Sequence, residues 1–312
     1  MSRATYIAGR LAQIVPTLIL IGALVFALTR FLPGGPIAAL LGDKASDETI
    51  ARITAQYGFD QPMLVQFGKF LNLAAHGDLG DSVAYRMPAM RLIADRLPVT
   101  LTLTGFAVVI ALSLAVPLAF LAALYANRWP DFLIRALFQV GLSSPIFYIG
   151  LLLLTVFAAG LRWFPVGGFG DTWSEQLYHL ILPALTLALS LSAVLMRSLR
   201  ASILVILNAD FIDFARAKGL PSSLVLRRHV LRNAIISIVT IIGLYVGELL
   251  GGAVITETVF AVPGVGRLMV DSIFARDYPV IQALTLCLAV AVSFTFIVTD
   301  LLQMALDPRI AR

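Results

Sequence analysis

The stretch DFIDFARAKGLPSSLVLRRHVLRN, residues 210–233, is a cationic island in a chain of 312 residues that is 59% apolar. It carries Arg216, Lys218, Arg227, Arg228, His229 and Arg232 between two long hydrophobic runs. Residues 210 to 218 fit a short helix with Phe211, Phe214 and Ala215 on one side. Gly219 reads as its left-handed stop, Leu220 as the hydrophobic residue that follows, and Pro221 as a block to continuation. Such a helix is too short and too polar to cross a bilayer. Two aromatic rings among charges suit a groove on another protein, and equally an amphipathic helix lying on lipid. The residues alone leave both open.

Only 13% of the chain is charged, and the mean hydropathy is +0.92. A water-exposed fold needs far more charge at its surface, so a soluble protein is excluded. Apolar runs near or above the roughly 20 residues needed to cross about 30 Å of hydrocarbon fall at 11–29, 99–126, 136–160, 177–196, 234–256 and 280–304. The expectation is an all-α integral membrane protein with six transmembrane helices. Arg3 and Arg10 precede the first run as in a signal peptide, but the run is too long for an h-region and no small-residue cleavage site follows.

The charges orient the chain. With the N-terminus inside, the segments 1–10, 127–135, 197–233 and 305–312 hold 13 Lys and Arg against four acids: Asp131, Asp210, Asp213 and Asp307. The exterior pieces hold 10 basic residues against 12 acids, with Glu248 and Asp300 inside spans. The sign follows the positive-inside rule and puts both termini in the cytoplasm. The net charge of +5 therefore reports orientation, and no soluble domain is available to present the basic stretch to a nucleic acid.

The expected organisation is a cytoplasmic N-terminus and first span at 1–30, an exterior cap at 31–97, a five-span core at 98–304 and a cytoplasmic tail at 305–312. The core contains the cytoplasmic loop 197–233 and the exterior loop 257–279. In the cap, Ser46 reads as the start of a helix with Ile50, Ile53 and Tyr57 on one face and Gly58 as the stop; a second helix is expected from Pro62 to Ala75, followed by a turn at HGDLGDS, 76–82.

Within the spans, Pro16, Pro117, Pro145 and Pro183 each free a backbone carbonyl that must find another donor or a watery cavity. Gly243, Gly247 and Gly251 recur every four residues and mark one helix face for close packing, within the bundle, with a partner helix or around a substrate. Glu248 adds an ionisable group in mid-span, which costs about 2.5–3.5 kcal/mol on insertion scales. It is a candidate for a cavity, a partner or a structural hydrogen bond. Pro145, Pro183, Gly243, Gly247, Glu248 and Gly251 are thus the pathway or packing candidates.

Catalytic signatures are missing. There is no G-x-x-x-x-G-K-[ST], no H-E-x-x-H and no G-x-S-x-G; His76, His179 and His229 are scattered, and Cys287 is the single cysteine. The expectation is no catalytic residue, no metal site and no cofactor bound by this chain.

The stretch DFARAKGLPSSLVLRRHVLRNAIISIVT resembles the EAA loop of binding-protein-dependent ABC importer permeases, and more narrowly of the dipeptide, oligopeptide and nickel permease family. The similarity extends over nearly the whole chain: LPGGP, YGFDQPMLVQF, HGDLGDS, RLPVTLTLT, ILPALTLAL, LLGGAVITETVFAVPGVGRL, RDYPVIQ and DPRI. It implies the type I ABC importer permease fold in a bacterial or archaeal inner membrane. The EAA positions fall on Asp213, Phe214 and Ala215 and the family glycine on Gly219; Asp213 keeps only the acid, and Arg216, Ala217 and Lys218 match the narrower ARAKGL pattern. Ser237 stands where the family usually has proline, and Val262 where it usually has tryptophan.

The resemblance implies that residues 210–219, from Asp210 and Phe211 onward, are a coupling helix seated on an ATPase. The implied partners are a second homologous permease, two ATPase subunits that use ATP and magnesium, and an extracytoplasmic substrate-binding protein. The outer loop supplies candidates for a gate or binding-protein dock: Glu257, Phe260, Pro263, Gly264, an Arg267–Asp271 pair and Asp277. Short peptides are the first expectation for substrate and nickel the second. A stand-alone ion-coupled carrier using Glu248 is the distant alternative.

Overall fold

The computed structural model describes residues 3–31, 48, 54 and 60–306. The expected helix after Ser46, the LPGGP stretch and the closing DPRI lie outside these residues. The helices are α1 (Arg3–Phe31), α2 (Met63–Ala75), α3 (Ala89–Leu124), α4 (Trp129–Ser143), α5 (Ile146–Gly160), α6 (Trp173–Leu207), α7 (Asp210–Ala217), α8 (Ser222–Val259), α9 (Val265–Phe274) and α10 (Tyr278–Leu306). Among the described residues, α3, α6, α8 and α10 are long and apolar enough to cross a bilayer, α4 with α5 supplies a bent crossing, and α1 contributes the apolar stretch Ala12–Leu28.

The third span departs from expectation. Instead of a single span over 136–160 interrupted at Pro145, α4 and α5 meet at 104°. Pro145 is the reason: its ring disfavours helical backbone at the residue before it, and Ser144 is extended with φ −91° and ψ 134°. The basic loop is also more ordered than expected. α6 runs on to Leu207, and α8 begins at Ser222, so Arg227, Arg228 and Arg232 lie in helix.

The chain divides into two compact units, Met1–Pro98 with Gly264–Phe294, and Val99–Pro263 with Thr295–Arg312. In the first, Phe26 of α1 meets Phe67 and Phe70 of α2 at centroid distances of 5.4 and 5.8 Å. Ala89, Leu92 and Ile93 pack with Val265, Leu268, Val280, Ala283 and Leu284. The HGDLGDS and RDYPVIQ motifs meet here: the buried Asp277 carboxylate accepts from Ser82 Oγ at 2.5 Å and from the backbone N–H groups of Val83 and Ala84 at 3.3 and 3.1 Å.

In the second unit α6 is the most buried membrane-length helix. A capping box starts it: Thr172 Oγ1 accepts from the Glu175 N–H, and the Glu175 carboxylate accepts from the Thr172 N–H. α4, α5 and α8 pack along it. On α3, Ala107, Ala111, Ala115 and Ala119 form a fully buried stripe in the core of this unit. At one end of α6, Arg200 places Nε and Nη2 each 2.6 Å from a different oxygen of the fully buried Asp131.

Candidate coupling surface and pathway

α7 begins with Asp210 and has Asp213 in its first turn, where acids suit the positive end of a helix. It ends in a complete Schellman motif. The Gly219 N–H donates to Arg216 C=O at 2.9 Å and the Leu220 N–H to Ala215 C=O at 3.3 Å, while Gly219 adopts φ +78°. A Cβ at Gly219 would meet nothing within 4 Å, so the requirement is conformational rather than spatial.

The buried side of α7 is Ile212 and Ala215, part of the same core as α6 and α8. This corrects the expectation that Ala215 lies on one side of the helix with the two phenylalanines, which are exposed. Ile212 rather than either ring anchors the helix, which packs against a π-helical turn at Val225–Leu231. Phe211 lies 6.5 Å from the His229 ring, and Phe214 remains 63% exposed under Lys218 Nζ at 4.6 Å. Asp210, Asp213, Arg216, Ala217 and Lys218 are also exposed, with Arg216 and Asp213 3.5 Å apart. The result is a helix seated on the core that presents two rings and mixed charge outward.

The pathway candidates separate. Glu248 is exposed and lines a pocket of about 10 Å³, room for about one water, with Ile146, Leu187, Ser190, Leu191, Tyr245 and Leu249. Pro145 adjoins it through Ile146. Ser190 and Tyr245 escaped the sequence reading, although Tyr245 precedes Glu248 by three residues and shares its helix face. Gly251 faces open space, whereas Gly243 is filled by Thr299 of α10 and Pro183 is buried within α6. Gly247 is half-buried.

Much of the proposed outer dock turns inward. Glu257 is fully buried and accepts from Thr100 Oγ1 at 2.5 Å. Phe260, Gly264 and Asp277 are buried as well. Phe260 is held from the other side, where its carbonyl accepts from the Gly168 N–H at 3.2 Å and Gly167 leaves no room for a Cβ beside it. Arg267 and Asp271 form the expected pair at 3.9 Å and remain partly exposed; Pro263 is half-buried. Phe274, 84% exposed at the end of α9, is the outward group that the sequence reading missed.

Both departures from the resembling family find a place. Ser237 sits in an unbroken α8 with its Oγ 3.3 Å from Ser202 Oγ on α6, and Val262 is wholly buried in the core.

The sequence matches the family described as "Binding-protein-dependent transport system inner membrane component" over residues 115–312, and its N-terminal companion over residues 3–104. The glutathione transport system permease protein GsiC of Salmonella paratyphi A is 40% identical over 305 residues, covering 98% of both chains. Its namesake in Escherichia coli strain K12 is 41% identical with the same coverage. Among solved structures, an inward-facing form of the MetNI methionine ABC transporter aligns with TM-score 0.60 at 16% identity over 70% of this chain and 97% of that one. An amino acid ABC transporter with histidines aligns with TM-score 0.53 at 17% identity, over 69% of this chain and 94% of that chain. The low identities make these likenesses of fold. With four membrane-length helices and a bent apolar pair among the described residues, a seated amphipathic helix and two family matches that together span nearly its whole length, the chain belongs to the inner-membrane permeases of binding-protein-dependent ABC importers.

Proposed function

We propose that this permease imports short peptides and that glutathione, itself a tripeptide, is the first solute to test. The relatives at 40–41% identity, matched over 98% of their length, carry this reading because they are named for glutathione transport. As a member of the family the chain is a multi-pass inner-membrane subunit and not itself an enzyme. ATP is hydrolysed by partner ATPases, and a substrate-binding protein delivers the cargo.

In the proposed assembly, this chain pairs with a second permease and two ATPases, with both termini in the cytoplasm. The chain itself binds no cofactor, and magnesium and ATP remain on the ATPases. α7 seats on an ATPase through Phe211, Phe214, Arg216 and Lys218. ATP and the loaded binding protein must each favour one of two conformations, because a ligand of equal affinity for both shifts nothing. α7 transmits that bias through Ile212 and Ala215 to the packed ends of α6 and α8. Glu248, Tyr245, Ser190 and Gly251 face the route that opens between the two permeases.

The test is reconstitution of the complete transporter in vesicles with its binding protein, followed by uptake of labelled glutathione, dipeptides and nickel. ATP-dependent uptake of glutathione or another short peptide is expected. Uptake of nickel alone would replace the peptide reading. Uptake by this chain without ATPases, driven by a proton gradient and lost in Glu248→Gln, would replace the coupling reading as well.

A further inference from the structure

A second feature of the larger unit lies apart from the coupling surface and the Glu248 pocket. α4 and α6 leave a groove of about 350 Å³ between them, walled by Phe132, Ala136, Phe138, Leu142, Ala193 and Met196. Arg135, Gln139 and Arg197 supply its polar groups. The Arg197 side chain is exposed and forms no ion pair or hydrogen bond among the described residues. Arg135 is 48% exposed and gives its Nε to Asp131 at 3.1 Å, leaving its two Nη groups available. The carboxylate that could neutralise this pair is already committed, because Asp131 is closed by both prongs of Arg200. The groove therefore keeps a local excess of positive charge over an apolar wall.

Its level in the membrane adds a second constraint. Arg135 immediately precedes the apolar run 136–160 and Arg197 immediately follows the run 177–196, the sequence positions at which hydrocarbon is expected to give way to headgroups. Arginine there binds phosphate oxygens through a planar fork of donors, and basic pockets between membrane helices hold anionic headgroups.

We infer that this groove is a binding site for one anionic phospholipid, with the headgroup phosphate on Arg135 and Arg197 and an acyl chain along Phe132, Phe138, Leu142 and Met196. Gln139 supplies a further donor at the headgroup. A soluble anion would satisfy the arginines but leave the apolar wall wet. A zwitterionic lipid would cover the wall but return part of the charge. Because α6 leads directly into α7, an occupied groove would also brace the helix from which the coupling surface hangs.

The experiment uses the assembled transporter in nanodiscs that contain phosphatidylcholine with a minor fraction of photoactivatable phosphatidylglycerol. Crosslinks are mapped on the unmodified protein and on Arg135→Gln/Arg197→Gln. Crosslinks are expected in residues 132–142 and 193–197, with apparent affinity for phosphatidylglycerol falling about thirtyfold in the double variant on the basis of two surface arginines. Arg228→Gln, which removes a cation elsewhere on the same side, should leave this label unchanged, and Arg135→Lys/Arg197→Lys should retain most of it. Labelling that avoids the groove in the unmodified protein overturns the proposal, even if the glutamine variant fails to assemble. Equal labelling by photoactivatable phosphatidylcholine, or displacement of the lipid by free glutathione at equal concentration, overturns it too. These readouts do not depend on which solute is imported.

Discussion

Arg200 grips Asp131 with two nitrogens, each 2.6 Å from its own carboxylate oxygen, and so ties the start of α4 to the end of α6. Asp131 is fully buried and also accepts from the Asn127 N–H at 2.9 Å, whereas the Arg200 side chain is only 17% exposed. Removing one member strands the other. Asp131→Ala is expected to destabilise by about 3–5 kcal/mol, read as a lower thermal midpoint of the detergent-purified transporter. Arg200→Lys keeps the charge but loses the fork, and should fall between Asp131→Ala and the unmodified protein. An unchanged midpoint in Asp131→Ala would show that the pair carries no stability.

At the coupling helix, stability and coupling should separate. Phe214→Ala removes an exposed ring and should change stability by less than about 0.5 kcal/mol, while uptake falls relative to ATP hydrolysis. Gly219→Ala has space for its methyl group but must hold a left-handed backbone, at a cost of about 1–2 kcal/mol. Gly219→Pro cannot adopt that φ and should abolish uptake while the chain still inserts. The ratio of transported solute to ATP hydrolysed is the measurement. A normal ratio in correctly assembled Phe214→Ala and Gly219→Pro transporters would refute the coupling role.

Asp277 predicts an order of severity. Ser82→Ala deletes a hydrogen bond to the carboxylate and the acceptor of the Tyr85 N–H, and should cost about 1.5–3 kcal/mol. Asp277→Ala costs more, because Ser82 and the N–H groups of Val83 and Ala84 all lose their acceptor. Thermal unfolding of both variants checks the order, and a milder effect at Asp277 would show that the clasp does not hold this region.

Gly243 and Thr299 should behave as a coupled pair. A methyl group at Gly243 runs into Thr299, so Gly243→Ala is expected to destabilise by about 1–3 kcal/mol through overpacking. Trimming the neighbour in Gly243→Ala/Thr299→Ala should restore part of the loss. A double-mutant cycle measures the interaction, and strict additivity would mean that the helices do not press together at this point.

These cases show what a linear reading reaches. The stop at Gly219 was legible because glycine, a hydrophobic residue and proline each carry a local backbone preference. Membrane crossings were legible through length and hydropathy, and the basic loop through charge. Burial was harder. Glu257 and Asp277 looked like outward polar groups, yet their partners lie 157 and 195 residues away in sequence, at Thr100 and Ser82. No local pattern encodes such a pairing. Similarly, Ile212 was overshadowed by two aromatic neighbours because periodicity in eight residues does not say which face meets the core. The break at Pro145 was foreseeable as a freed carbonyl, but its 104° angle depends on what packs beside it.

The continuity of α8 has a mechanical consequence. It starts close in sequence to α7 at Ser222, passes Ser237 without a proline break, and carries both Glu248 and Glu257 before ending at Val259. At 1.5 Å per residue, Ser222 and Glu248 are separated by roughly 39 Å of helix. A tilt applied at one end therefore reaches the other as leverage along a single rod. If α7 seats on an ATPase, the π-helical turn at Val225–Leu231 is where its load enters that rod. Any stiffening or slackening of that turn would alter the stroke delivered to Glu248 without touching either end.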